Sequence, residues 1–131
     1  MSAIRTSSFR KSGADHFEPD LDSDPQAQRR LRGQLEHIDY TAYASNREVI
    51  GHTLGHADAA RFQKLAVAAA SARAQWVAVS LQITESPHAL TPAEVERLSH
   101  MRAAYEELSE VYEAFRRMVE RGYLTFRAPP A

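Results

Sequence analysis

The chain has no cysteine, and that one absence removes disulfides, thiolate nucleophiles and thiolate metal sites together. Extracellular stapling is excluded, and a reducing compartment is the natural setting. Charge of one sign is missing as well: 16 basic residues face 17 acidic ones, for a formal net charge of −1. Nothing in that balance drives the whole chain toward nucleic acid or anionic lipid. Glycine is scarce, at five residues of 131, and no Gly-rich phosphate loop, Gly-x-Ser-x-Gly elbow or His-Glu-x-x-His helix occurs. The common enzyme signatures are therefore absent, and no cofactor is expected.

Long hydrophobic runs are also lacking. Residues 65–83 come nearest, but Arg73 sits at their centre, with Gln75 and Gln82 beside it. A central Arg costs roughly 2.5–3.5 kcal/mol on insertion scales, which the near-neutral alanines do not offset. The stretch reads as a helix packed in protein, and no membrane association is expected. The first twelve residues carry Arg5, Arg10 and Lys11 but no apolar core, so a secretory signal is not expected and the location is read as cytoplasmic.

What the chain does have is helical periodicity. Phe62, Leu65, Ala69, Ala72, Trp76, Val79 and Ile83 alternate steps of three and four, and Leu98, Met101, Tyr105, Leu108, Tyr112, Phe115 and Val119 repeat the pattern. Each series is one face of a helix. Between them, Thr91-Pro92-Ala93-Glu94 offers an N-cap, a proline at the first helical position and a capping box. Two long helices folding back on each other follow.

A third, weaker seam runs through Leu31, Leu35, Ile38, Ala42, Ser45 and Val49, opened by Asp24-Pro25 as cap and first residue. Ser45-Asn46-Arg47-Glu48 resembles an internal capping box and predicts a kink or break near residue 45. Gly55 predicts a turn, with Asp58 capping the next helix. Gly122 predicts the end of the third helix, with Tyr123, Leu124 and Phe126 folding back on the bundle end.

The fold class expected is all-α: an elongated antiparallel three-helix bundle built on a long helical hairpin, with a disordered N-terminal tail. Its helices cover about residues 25–54, 59–85 and 92–121, inside a bundle of 25–126. Residues 1–24 form the charge-segregated tail, and 127–131 a short C-terminal one. The Ala-rich second helix is expected between two neighbours.

Three constellations carry possible chemistry. On an unbroken helix Glu48, His52 and His56 would stack at i, i+4 and i+8, a spacing at which two imidazoles can chelate zinc. Glu106, Glu110 and Glu113 line one face of the third helix as an acidic docking stripe, with Glu113 to Arg117 an i,i+4 pair. Tyr123 and Phe126 form an apolar C-terminal docking segment. A helix-turn-helix frame centred on Gly55 fails, because it would bury Arg61 and Lys64. The Arg29, Arg30 and Arg32 cluster has no interleaved aromatics, so nucleic acid is not an expected partner.

Two local patterns resemble known families. Leu54-Gly55-His56 is similar to the Leu-Gly-His segment of tyrosine recombinases, but the next tyrosine is Tyr105 and no role carries across. Arg47 to His52, like Arg32 to His37, has the Arg-x4-His spacing of helical nucleases resembling the HEPN class, which implies acid/base and phosphate-clamping roles in RNA cleavage. The function expected is that of a small intracellular interaction or adaptor protein, coiled-coil-like, acting by self-association or by binding a partner helix. The alternative is a metal-dependent or RNA-cleaving helical enzyme centred on Arg47, His52 and His56.

Overall fold

The computed structural model describes residues 24–129. The sequence reading of the N-terminal tail therefore lies outside the described residues apart from Asp24. Five elements follow in order: helix α1, Pro25–Leu54; strand β1, Ala57–Asp58; helix α2, Ala59–Thr84; helix α3, Pro92–Glu120; and strand β2, Phe126–Arg127. The all-α fold expected from periodicity is the one observed, with three helices among the described residues and a hairpin of α2 and α3.

Local cap chemistry sets the helix starts. Asp24 Oδ1 accepts from the backbone N–H groups of Gln26 and Ala27 at 3.0 and 3.2 Å, so α1 opens on a capped turn with Pro25 first. Asp58 caps α2 by accepting from the Arg61 N–H at 2.9 Å. At α3 the capping box is complete: the Glu94 N–H donates to Thr91 Oγ1 at 3.1 Å, and the Thr91 N–H donates to Glu94 Oε1 at 2.9 Å.

The hairpin is antiparallel, as its cross-helix pairs establish. Phe62, early in α2, meets Phe115 late in α3 with ring centroids 4.6 Å apart, whereas Trp76, late in α2, stacks on Tyr105 at 6.2 Å. Arg73 finds its place in the same ladder. Its guanidinium donates to Tyr105 Oη at 2.7 Å, which accounts for a charge at the centre of an otherwise apolar stretch. No helix among the described residues is long and apolar enough to cross a membrane.

Two expectations for α1 change. Of the kink or break expected near Ser45, the break does not occur, since α1 stays helical through Leu54; continuing the helix keeps its backbone ladder, whereas a new cap at Ser45 would leave carbonyls of the preceding turn unpaired. The second change concerns which side packs. Within residues 43–131, which form a compact unit, α1 touches the hairpin end through Tyr43, Ile50 and Leu54. Those residues lie roughly 120° around the helix from Ser45 and Val49, and Val49 is 63% exposed. Within this unit the packing face of α1 lies off the seam positions Ser45 and Val49.

The core is small and sits at the open end of the hairpin. Ala57, Phe115 and Leu124 are the buried apolar residues, with Ile50, Leu54, Phe62, Leu65, Met118 and Val119 packed around them. Two positive-φ glycines close it. Gly55, at φ 81°, turns the chain out of α1, and Gly122, at φ 79°, ends α3. The chain then folds back, so that the Ala57 N–H donates to the Thr125 carbonyl at 2.9 Å and β1 pairs with β2 in parallel, Ala57 opposite Phe126 and Asp58 opposite Arg127. The fold-back of Leu124 is as the sequence predicts; the two-residue strand pair is not foreseen.

These glycines differ in what an added methyl would meet. At Gly51, inside α1, a Cβ has nothing within 4 Å, while at Gly122 it would lie 3.0 Å from Tyr43 Oη on a left-handed backbone. Gly51→Ala is expected to stabilise the chain by about 0.5–1 kcal/mol, the helix-propensity difference. Gly122→Ala is expected to destabilise it by about 1–2 kcal/mol through αL strain and the tyrosine contact. Thermal melting of the two variants checks both signs at once.

Candidate interaction face

Residues 24–42 fall in a second unit, distinct from the one that holds the hairpin. Within it α1 presents Leu31, Leu35 and Ile38, which are 37%, 50% and 59% exposed. Their spacing of four and three puts them on one stripe. Arg30, Gly33, Gln34 and His37 join Ile38 in lining an open groove beside it, and Arg32 and Asp39 flank it in sequence. No residue of α1 is buried. A helix carrying three large aliphatic side chains on one side and burying none of them has apolar surface left in water, at about 25 cal/mol per Å².

The hairpin carries a second uncovered surface. Ala66, Ala69, Ala70, Ala74 and Val77 line a groove with Arg73 and Tyr105, and Val67 and Leu81 of the same helix are exposed. α2 packs against α3 along the hairpin, yet none of its residues is buried. Arg73 gives this groove its polar end. Its hydrogen bond, with a second from Ser109, holds the Tyr105 phenol below its ordinary value.

The structure separates the histidine and carboxylate set read from the sequence. Glu48 and His52 remain on α1, both exposed, but α1 ends at Leu54, and Gly55 turns His56 out of the helical register. The stacking that metal chelation needs requires an unbroken helix. Among the described residues no three His, Asp or Glu side chains are grouped to hold a metal ion. His56 instead pairs with Asp58, Nε2 to Oδ2 at 3.3 Å. Beside them Arg61 donates to the carbonyls of Leu54 and His56 at 2.6 and 2.8 Å, satisfying the C-terminal end of α1. Asp58 is held below the ordinary carboxylate range, first by the Arg61 N–H and then by His56. This cluster does the work of a double cap. Arg47 is exposed on α1.

The remaining candidates fall on the hairpin unit. Tyr123 is half-buried against Tyr43, ring centroids 5.5 Å apart, and Phe126 is 46% exposed with its ring 6.4 Å from Phe62. Both are engaged by the chain's own fold. Glu106, Glu110 and Glu113 are exposed along α3, where the ion pair formed is Arg102 Nε to Glu106 Oε2 at 3.1 Å rather than Glu113 to Arg117.

The surface that sequence reasoning missed is the α1 stripe. Its signal was present as periodicity, but periodicity does not reveal which apolar stripes are covered. Comparison with protein-family models, with curated protein sequences and with solved structures finds no match to this chain.

Proposed function

We propose that this protein is a small intracellular helical interaction protein, working by association of α1 with another helix, its own copy first among the partners. One observation carries the reading: Leu31, Leu35 and Ile38 form a continuous stripe at 37–59% exposure on a helix that buries none of its residues. An apolar stripe of this kind marks a contact surface more often than an idle one. The absence of cysteine suits a reducing compartment. The enzymatic alternative receives less support, because among the described residues Glu48, His52 and His56 belong to no group of ligands that could hold a metal ion.

The test is a native mass spectrum of the untagged full chain, purified from its own cells without chelators. The expected species is an assembly larger than the 14.7 kDa chain and free of metal. A bare monomer at tens of micromolar contradicts the reading. A monomer carrying stoichiometric metal or nucleotide moves the case to the enzymatic alternative.

A further inference from the structure

We infer that two copies pair antiparallel through α1, in one register, with Arg32 of each facing Asp39 of the other. The inference rests on the interaction reading above and specifies its partner, orientation and register. Leu31, Leu35, Ile38 and Ala42 step by four, three and four, the d, a, d and a positions of a heptad. Arg32 and Asp39 then both occupy e, immediately beside the stripe.

In an antiparallel pair, a faces d and e faces e. Setting Leu35 opposite Ile38 of the second copy places Leu31 opposite Ala42, and two-fold symmetry repeats both layers. The same register brings Arg32 opposite Asp39 on one edge, and symmetry makes that pair twice. Both side chains are exposed, and no ion pair within the described residues engages either. Asp39 has no basic residue three or four positions away on its own helix, since those places hold Leu35, Glu36, Ala42 and Tyr43.

Charge also rejects the alternatives. A slip of one heptad in either direction puts Asp39 against Asp39 or Arg32 against Arg32, like charges at short range. A parallel in-register pair sets g against e, and therefore Gln34 against Asp39, with no charge pair. Complementarity thus selects one arrangement out of four. Its four apolar layers cover only about 20 Å of helix, so the interface is small and the dimer dissociates in the micromolar range.

The experiment uses the full chain with Arg32→Glu, Asp39→Arg and the double variant, each followed by sedimentation equilibrium and circular dichroism. Each single reversal is expected to weaken the dimer roughly tenfold or more, because symmetry doubles its effect, with helix content unchanged. The double variant is expected to return to within about threefold of the original, since it recreates the pair with its signs exchanged. The chain has no cysteine, so Gln26→Cys takes a single spin label. Label-to-label separation is expected at roughly 30–35 Å for the antiparallel register, against less than about 25 Å for a parallel one.

A dimer whose affinity the double variant does not restore overturns this register and leaves the interaction reading standing, as does a complex with a different chain. That outcome includes α1 docking on the alanine groove of another copy's hairpin. A monomer in every variant and in the original overturns both.

Discussion

Phe115→Ala is expected to destabilise the hairpin unit by about 3–4 kcal/mol, the usual range for truncating a buried aromatic. Phe115 is the largest of the three buried apolar residues among the described ones, at 8% exposure. Its ring lies 4.6 Å from that of Phe62, which also reaches Tyr112 at 5.5 Å, edge to face. Removing it takes away transfer energy, one aromatic pair and the wall on which Leu54 and Leu65 rest. With whole-domain stabilities of 5–15 kcal/mol and so small a core here, the loss consumes a large part of the total. Urea unfolding followed by circular dichroism checks it. Phe115→Leu, which keeps most of the volume, is expected to cost about 1–1.5 kcal/mol. Equal effects of the two variants would contradict the placement of Phe115 at the centre of the core.

The second large effect separates association from folding. Leu35→Asp is expected to abolish self-association, raising the dissociation constant by a hundredfold or more, because in the antiparallel register it places a carboxylate in two central layers at once. Its effect on the unfolding of the hairpin unit is expected to stay within about 0.5 kcal/mol, since Leu35 is 50% exposed and contributes nothing to the core around Phe115. Sedimentation and thermal melting read the two quantities independently. Phe115→Ala and Leu35→Asp therefore form a crossed pair, one losing the fold and the other only the dimer. A Leu35→Asp variant that melts the hairpin would contradict this separation.

How much of this was legible in the residues depends on the range of each interaction. Caps act over three or four positions, and Asp24, Asp58 and Thr91 with Glu94 all perform the roles their local sequence predicts. The turn at Gly55 and the stop at Gly122 were equally local, each fixed by a positive φ that glycine accepts cheaply. The hairpin was legible because two long seams with a capped connection have few other ways to bury themselves.

What escaped the sequence depends on where a helix is led. The seam of α1 is visible as a period, but the turn at Gly55 and the anchoring of Ala57 to Thr125 aim Tyr43, Ile50 and Leu54 at the hairpin, and these lie off that seam. No pattern along the chain encodes that rotation. The metal reading of Glu48, His52 and His56 assumed a helix running through His56, whereas α1 ends at Leu54, two residues short of it. Two-residue strands have no periodicity to detect. The exposed stripe followed from the misassigned face, and it became the candidate site only once the true packing face was known.

The most direct measurement of the central claim is amide hydrogen exchange along α1 as a function of protein concentration. A helix segment without tertiary cover exchanges quickly, so protection over residues 31–42 reports contact with another molecule. The expected result is protection that rises with concentration over those residues, falls away on dilution, and leaves α2 and α3 unchanged. Rapid exchange there at every concentration up to several hundred micromolar would contradict the account.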